Sequence, residues 1–299
     1  MQHISILAFA AAAAVSLSVP AYAEPAVLAE YPSGTFLENL TIETGGTVAF
    51  TSYFARQLGQ LETSDHHGVF PELPAHPVGI LATETGFIVT AHGMPFTEGP
   101  EFTQTQQILT LDAAGNVVSS TDVPQALFLN GLTELTTGQV LIADSIAGAI
   151  WEFDPATGSV EAWLTHELLT QNPDIPVFAP GANGVKQDGD RLLVSNSGRG
   201  AIYEVTLNED GSAGSDPLIV AEIGPVDDFY VDDGRIVLTT HGDALQAIEA
   251  DGSITTLLAE GCDGCTSVVR RGDAYLVLTT GGLLDGHTDP ARILSIPAE

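Results

Sequence analysis

The sequence predicts an all-β fold, a six-bladed β-propeller of four-stranded antiparallel blades, on three observations. Short apolar stretches alternate with Gly, Asp and Asn turns at a spacing of about ten residues, and helical periodicity is almost absent. One phrase recurs six times: an apolar strand, a turn with Gly, a second apolar strand and a small polar end. The two ends of the chain supply strands that would close a ring. Repeats of this kind are typical of propeller blades.

The recurring phrase predicts the number of blades. Its turn glycines follow one another at intervals of 38 to 52 residues, which is room for four strands. Most copies are followed by a second hairpin with Gly, Asn or Asp in its turn, so each blade should have inner strands A and B and outer strands C and D. The turn glycines are Gly46, Gly86, Gly138, Gly189, Gly234 and Gly272.

The ends of the chain are predicted to complete the sixth blade. After the last phrase only residues 291–297 resemble a strand, and residues 26–31 resemble the missing outer strand. Pairing of these two stretches would remove an exposed sheet edge. Residues 24–299 are therefore expected to form one propeller domain.

Residues 1–23 have the features of a cleavable signal peptide. An Ala-rich apolar stretch precedes Ala21-Tyr22-Ala23, an A-x-A cleavage site, although Met1-Gln2-His3 carries no Lys or Arg. A retained N-terminal anchor is the alternative. We expect cleavage after Ala23 and a periplasmic or secreted protein.

Composition restricts the partners. The chain has 39 Asp and Glu against 8 Lys and Arg, a formal net charge of −31. This field repels nucleic acid and anionic membrane surfaces, so neither is expected as a partner. A small-molecule substrate is expected, and the sequence leaves the oligomeric state open.

The two cysteines, Cys262 and Cys265, are separated by Asp263-Gly264. In an exported protein they could form a local disulfide or remain two thiols. A redox C-x-x-C is disfavoured because no thioredoxin-like βαβ pattern surrounds it, and a four-cysteine zinc site is excluded by their number.

The chemistry is expected at the mouth of the central tunnel, just before each strand A. Four of the six residues at this position have oxygen-bearing side chains, which suits Ca²⁺, although another divalent cation is possible. The absence of His and Cys disfavours zinc and copper. Asn and Asp also begin ordinary strands and turns, which is the alternative. The six residues are Glu38, Val78, Asn130, Asn183, Asp227 and Gly264.

These stretches resemble the six-bladed calcium-dependent hydrolases of the gluconolactonase/senescence-marker-protein group (the luciferin-regenerating-enzyme-like propellers), related to paraoxonase and diisopropyl fluorophosphatase. The matching stretches are residues 36–40 (FLENL), 128–132 (FLNGL), 182–185 (ANGV) and 226–232 (VDDFYVD). The resemblance extends in repeat register over residues 24–299.

The resemblance implies a catalytic calcium ion and adds Asp228 as a further ligand. The ion would polarise a lactone or ester carbonyl, or a phosphoryl oxygen. Either a water is then activated, or Asp227 itself attacks or acts as base. Val78 replaces the His of the paraoxonase dyad, and Gly131 stands where many relatives have Asp, which weakens a second, structural calcium. The substrate class therefore does not transfer. The implied ligands are Glu38, Asn130, Asn183, Asp227 and Asp228.

Histidines at the ends of strands B are candidates for a general base. His241 is the first choice and His92 the second, since both should rim the same pocket, as should Asp144, Ser145 and Asn196. His66 and His67 are expected in a solvated insertion. The long insertion at residues 161–181 is predicted to be either a lid, with Phe178, Ala179 and Pro180 near Asn183, or a crossing to the next blade.

Three functions remain open from the sequence. The first is an exported calcium-dependent lactonase or esterase with Asp227, His241 and His92 as catalytic candidates. The second is a metal-independent propeller similar to strictosidine synthase, against which Asn130 and Asn183 argue. The third is a non-enzymatic ligand-binding propeller with structural calcium.

Overall fold

The structure, a computed structural model, describes residues 24–63, 66–175 and 179–298. The predicted signal peptide lies outside these residues. The described chain folds into six four-stranded antiparallel sheets, each built from consecutive strands except for the one that contains both chain ends. This confirms the predicted six-bladed β-propeller.

The first three blades follow the chain from its second strand, and each is given from the innermost strand outwards. They consist of β2 (Leu37–Ile42), β3 (Val48–Ser52), β4 (Gln57–Thr63) and β5 (His66–Val69); β6 (His76–Ala82), β7 (Gly86–His92), β8 (Gln106–Asp112) and β9 (Val117–Asp122); and β10 (Leu129–Glu134), β11 (Val140–Asp144), β12 (Ala149–Phe153) and β13 (Val160–Thr165).

The other three blades complete the ring in the same order. They consist of β14 (Ala182–Asp188), β15 (Arg191–Asn196), β16 (Ala201–Thr206) and β17 (Leu218–Glu222); β18 (Phe229–Asp232), β19 (Arg235–Thr239), β20 (Leu245–Ile248) and β21 (Ile254–Leu258); and β22 (Cys265–Arg271), β23 (Ala274–Thr279), β24 (Ala291–Pro297) and β1 (Ala26–Tyr31).

The helices described are four short 3-10 segments in loops. None of the helices in the described part of the chain has the length and apolar character needed to cross a membrane. The segments are Phe96–Glu98, Pro100–Gln104, Glu167–Leu169 and Leu283–Asp285.

The ring is closed by the two ends of the chain. Strand β1 pairs antiparallel with β24, with Tyr31 opposite Ala291 and Ala26 opposite Ser295. The innermost strands β2, β6, β10, β14, β18 and β22 contact one another in a closed cycle. The predicted pairing of the ends is thus confirmed.

The hydrophobic core lies between the blades. Six clusters of buried side chains each combine residues of two neighbouring blades, such as Leu193 with Phe229 and Leu276 with Leu40. This is why both faces of the inner strands are apolar and why those strands appear in the sequence as short continuous apolar runs.

A ring of hydroxyl groups joins the blades around the axis. In each blade a Ser or Thr donates a hydrogen bond of 2.6–2.9 Å to a backbone carbonyl of the next blade, and the last bond returns to blade one. These bonds fix the distance between neighbouring inner strands. The donors are Thr51, Thr90, Ser145, Ser195, Thr239 and Thr266, and the acceptors are Val78, Asn130, Ala182, Asp227, Thr266 and Leu37.

Two local expectations change. His66 and His67 were expected in a solvated insertion, but they belong to β5, the outermost strand of blade one, whose sequence is too polar to show as a strand. The sequence left the state of the cysteines open, and the structure has a disulfide between Cys262, in the loop before β22, and Cys265, the first residue of β22.

Candidate active site

A cavity of about 550 Å³ opens where the six innermost strands begin. All six residues predicted to converge on the tunnel mouth line it, including Val78 and Gly264, which carry no ligand oxygen. The repeat register therefore correctly placed one residue from each blade. The other lining residues are Phe36, Tyr53, His92, Phe96, Phe128, Ile175, Ala179, Pro180, Ser197, Pro225, His241, Thr266, Thr280, Leu284 and Asp285.

Irregular strand pairing turns these residues toward the axis. In four of the six blades the register between the two inner strands shifts where the axis residue lies, for example between Leu37 and Leu40 around Glu38. Such bulges redirect side chains out of the regular alternation. Gly131 follows Asn130 within one of them, and a Cβ there would lie 2.7 Å from the carbonyl oxygen of Asn183. Close approach of the neighbouring blade therefore accounts for glycine at this position.

Glu38 presents a carboxylate without a counter-ion to the cavity. Its Oε2 is buried and has no hydrogen-bond partner among the described residues. Burial raises the pKa of Glu38 to about 8, and the nearby charge of Asp228 adds to the rise. An unpartnered buried carboxylate oxygen is costly for a fold unless a cation or proton neutralises it.

The amides of Asn130 and Asn183 are held with their oxygens free. Asn130 Nδ2 donates to Ser145 Oγ at 3.2 Å, and Asn183 Nδ2 donates to Ser197 Oγ at 3.0 Å. Each serine hydroxyl donates its own proton to a backbone carbonyl of the blade ring, at 2.7 Å in both cases, so it can only accept from the amide. Each Oδ1 is thus the amide atom available to a ligand.

Asp227 and His241 form a pair that shares a proton. His241 Nδ1 lies 3.2 Å from Asp227 Oδ2, and His241 Nε2 lies 3.1 Å from Ser197 Oγ. Since Ser197 donates to Val226, Nε2 carries a proton and donates, which leaves one proton for the contact between Nδ1 and Oδ2. Asp227 Oδ1 accepts from Asn183 Nδ2 at 2.7 Å.

The environment favours the neutral form of both partners. Burial lowers the pKa of His241 to about 4. Burial and the charges of Glu38 and Asp228 raise the pKa of Asp227 well above its usual value. His241 also has φ +58°, a left-handed conformation uncommon for a non-glycine residue. The backbone at the predicted base is therefore held in a strained state of the kind that clusters at functional sites.

His92 lines the cavity, but both of its ring nitrogens are engaged by the protein. Tyr53 Oη donates to Nδ1 at 3.0 Å, and Nε2 donates to the carbonyl of Leu129 at 3.2 Å. Burial lowers the pKa of His92 to about 3, so the imidazole is neutral. Tyr53 in turn accepts from the Phe96 amide. This arrangement gives His92 a positioning role and no free nitrogen for the base role suggested by its sequence position.

Asp228 lies next to the cavity-lining residues without being one of them. Its carboxylate accepts from Lys186 Nζ at 2.7 Å, from Ser267 Oγ at 2.6 Å and from Asn39 Nδ2 at 3.3 Å. Lys186 also lies over the Phe229 ring, 5.6 Å from its centroid. Asp228 thus has a protein cation in place of the open position that a further metal ligand would need.

Sequence reasoning missed Lys186, Tyr53 and Ser197. Lys186 is the only lysine of the chain and lies three positions after Asn183 in the same repeat phrase, which is a detectable signal in a protein of charge −31. Tyr53 and Ser197 occupy the small polar ends of two phrases, where no single residue type marks a role.

Two other residues predicted to rim the pocket serve the fold. Asp144 accepts from the backbone amides of Ile146 and Ala147 in its own turn, from those of Leu127 and Phe128 before β10, and from Trp151 Nε1. Asn196 donates to the carbonyls of Leu168 and Thr170. Both are buried and satisfied, and neither lines the cavity.

The long insertion before Asn183 contributes one wall of the cavity. It continues β13 and forms the short helix Glu167–Leu169, and Ile175, Ala179 and Pro180 line the cavity. Phe178 lies outside the described residues. Part of the insertion therefore lies against the cavity, and its action as a lid stays a prediction.

The donor set fits a hard cation. Two carboxylates and two oriented amides give four oxygen donors, with a charge of −2 once both carboxylates have lost their protons, and Glu38 Oε2 has no hydrogen-bond partner among the described residues. Among the described residues no group of three or more His, Cys, Asp or Glu side chains has the arrangement of a metal site. A site here would therefore depend on the amide oxygens of Asn130 and Asn183 as well as on acids.

Comparison with known proteins rests on structure alone, because no family model and no curated protein matches the sequence. A luciferin-regenerating enzyme superposes with a TM-score of 0.68 and 15% identity over 92% of this chain and 95% of that one. The regucalcin of Agrobacterium tumefaciens, titled a calcium-binding protein, gives 0.66 and 16% over 93% and 96%. A putative gluconolactonase gives 0.66 and 17% over 92% and 93%.

Other propellers match less well. The virginiamycin B lyase of Staphylococcus aureus has a TM-score of 0.56 and 15% identity over 87% of this chain and 80% of that one. At these identities the likeness shows the fold and leaves the activity open. The chain is thus similar in fold to the six-bladed propellers that include luciferin-regenerating enzyme, regucalcin and gluconolactonase.

Proposed function

We propose that the protein is an exported hydrolase that uses calcium at the tunnel mouth to cleave a lactone or ester. The observation that carries the proposal is the convergence of two carboxylates and two oriented amide oxygens on one cavity, with Glu38 Oε2 buried and unpartnered. A cation is the group that would satisfy this arrangement. Calcium is favoured because all four donors are oxygens.

The proposed residues divide into ligands and proton carriers. Glu38, Asn130, Asn183 and Asp227 would hold the ion, which when bound supplies Lewis-acid polarisation of a carbonyl oxygen. Asp228 is left out of the ligand set because Lys186 already neutralises it.

The pair of Asp227 and His241 would manage the proton. With Asp227 ionised as a ligand, His241 Nδ1, which lies 3.2 Å from Asp227 Oδ2, carries no proton and could accept one from an attacking water and return it to the leaving alkoxide. Ser197 holds Nε2 at 3.1 Å and so fixes the orientation of the ring. The apolar walls of the cavity would limit access of bulk water and strengthen these polar interactions.

Structural neighbours support the same class of function. They include a luciferin-regenerating enzyme, a putative gluconolactonase and a calcium-binding regucalcin, so a lactonase-type propeller agrees with the fold. Export agrees with this choice of ion, since calcium is plentiful outside the cytoplasm.

The test is a screen of lactones and aryl esters with the full mature chain, in calcium and after chelation. We expect turnover that is lost on chelation and restored by calcium. Asp227→Asn should lower kcat/KM by about 100-fold or more while the far-UV circular dichroism is retained. Asp233→Asn is the matched control, because Asp233 is exposed in the β18–β19 turn of the same blade.

Three outcomes would contradict the proposal. Turnover unaffected by chelation would favour the metal-independent alternative. A calcium-dependent Tm with no turnover of any substrate would favour a structural calcium in a ligand-binding propeller. Full activity of Asp227→Asn would remove Asp227 from the chemistry.

A further inference from the structure

One wall of the cavity is a cluster of aromatic side chains. Phe36, Tyr53 and Phe96 line the cavity and pack with one another and with Phe54 behind them, with ring centroids 5.0–6.0 Å apart and mostly edge to face. Phe36 and Tyr53 are buried with Val78, and Phe96 packs against them from its 3-10 segment. Such a wall binds a flat or alkyl group by contact area and has few polar groups to offer it.

The facing wall is also apolar. Ile175, Ala179 and Pro180 from the long insertion line the cavity together with Pro225 and Leu284. The Leu284 side chain is 60% exposed, which is unusual for leucine and places apolar surface at the entrance.

The polar groups of the lining do not suit a polyhydroxylated ligand. The hydroxyls of Ser197, Thr266 and Thr280 already donate to backbone carbonyls at 2.7, 2.9 and 3.3 Å. Tyr53 Oη donates to His92. The proposed ion would occupy the acceptor oxygens of Glu38, Asn130, Asn183 and Asp227. A sugar-like ligand would then have to bury several hydroxyls against apolar walls, with Asp285 as the remaining lining carboxylate, which is unfavourable.

The charge of the lining does not suit an anionic ligand. Glu38, Asp227 and Asp285 line the cavity, and no Lys or Arg does so among the residues that the structure describes. The proposed ion would offset the charges of Glu38 and Asp227, so a substrate carboxylate or phosphate placed away from the ion would meet Asp285 without a counter-ion from the described lining residues.

We infer that the substrate is a neutral lactone or ester that carries an aryl or medium-chain alkyl group, and not a sugar lactone or an anionic ester. This inference rests on the proposed hydrolase function. The carbonyl would lie at the acidic floor and the apolar group against the aromatic wall. A cavity of about 550 Å³ is large enough for both parts.

The reaction is balanced with water as the only co-substrate. Water oxygen bonds to the carbonyl carbon, the bond from that carbon to the alkoxy oxygen breaks, and one proton passes to the alkoxide. The product carboxylic acid loses the second proton. The resulting anion would leave a cavity that Asp285 lines and that no Lys or Arg lines among the described residues.

The experiment compares γ-lactones that bear no side chain, a butyl chain and an octyl chain, with glucono-lactone as the polar reference. We expect kcat/KM to rise about three- to fourfold for each buried methylene until the cavity is full. Equal or better turnover of glucono-lactone than of the octyl compound would overturn the inference and leave the hydrolase function intact.

Two variants locate the selectivity. Phe96→Ala should reduce kcat/KM for the octyl lactone about tenfold more than for the unsubstituted one, because Phe96 contributes wall surface from a loop helix whose change spares the blades. Leu284→Lys should raise turnover of a lactone with a carboxylate side chain, and Leu284→Gln is the uncharged control. Parallel losses on all lactones with Phe96→Ala would contradict the assignment.

Binding of non-hydrolysed γ-lactams with the same side chains separates the two proposals. Titration calorimetry should show affinity that increases with chain length, even if no lactone is hydrolysed. In that case the hydrolase function fails and the apolar ligand class stands. Lactam affinity independent of chain length would overturn the ligand class.

Discussion

At the axis of this propeller the acidic residue Asp228 is neutralised differently from the neighbouring acids Glu38 and Asp227. Asp228 has its counter-ion built in, with Lys186 Nζ at 2.7 Å and two further donors. Glu38 and Asp227 have no Lys or Arg among the described cavity-lining residues, and Glu38 Oε2 has no partner there. This contrast shows that the fold can place a cation at the axis and, among the described residues, provides one for Asp228 but no Lys or Arg for Glu38 and Asp227. We expect an external cation to bind at Glu38 and Asp227.

The largest effect is expected when Glu38, which has no protein counter-ion among the described residues, loses its charge. Glu38→Gln should weaken calcium binding by about 100-fold, because it removes one of two anionic ligands. The calcium-free protein should be at least as stable as before, since a buried carboxylate with an unpartnered oxygen is replaced by a neutral group. Calorimetric titration and urea unfolding measure the two quantities.

Glu84→Gln is the control for this change, because Glu84 is exposed in the β6–β7 turn. Its calcium affinity should equal that of the wild type. If Glu38→Gln instead destabilised the calcium-free protein and left the calcium affinity unchanged, Glu38 would not differ from Asp228 in the way proposed.

The second effect concerns Asp228, whose counter-ion is Lys186. Lys186→Met should leave Asp228, whose side chain is 4% exposed, without its counter-ion and lower the free energy of unfolding by about 3 kcal/mol. Arg56→Met, which breaks the surface pair of Arg56 with Glu72, should cost less than about 1 kcal/mol. Denaturant titration of both variants gives the comparison.

A double variant tests the cause of this loss. Adding Asp228→Asn to Lys186→Met removes the uncompensated charge and should recover part of the stability. Equal stability of the single and double variants would show that Lys186 acts through packing on Phe229 and not through charge.

The smallest effect is a pH dependence. Burial raises the pKa of Glu38 to about 8, so the stability contributed by its neutral form is present below its usual pKa and lost as the pH rises through about 8. Calcium replaces the proton, so the rise in Tm on adding calcium should be greater at about pH 9 than at about pH 6. Thermal scans measure this, and in Glu38→Gln the difference should shrink. A calcium effect that decreases with pH would contradict the assignment of Glu38 as a ligand.

The fold and the axis residues could be predicted because the repeat is a local pattern. Apolar strands and turn glycines recur with every blade, and the position before strand A identified six residues that all line the cavity. Neither the roles of the histidines nor the neutralisation of Asp228 could be predicted in this way. His92 ends β7 and His241 lies two residues after β19, yet the nitrogens of His92 are engaged by Tyr53 and Leu129 whereas His241 faces Asp227.

The sequence by itself thus determined the number of blades, the closure by the two chain ends and which residues meet at the axis, since these follow from repeated hydrophobic and turn signals. Only the tertiary structure decided which acid is neutralised by Lys186, which histidine shares a proton with Asp227 and what lines the cavity. These depend on contacts between blades, where residues far apart in the chain, such as Asn39 and Asp228, come within hydrogen-bond distance. No local pattern encodes such pairs, because burial and counter-charge are set by neighbours from other repeats.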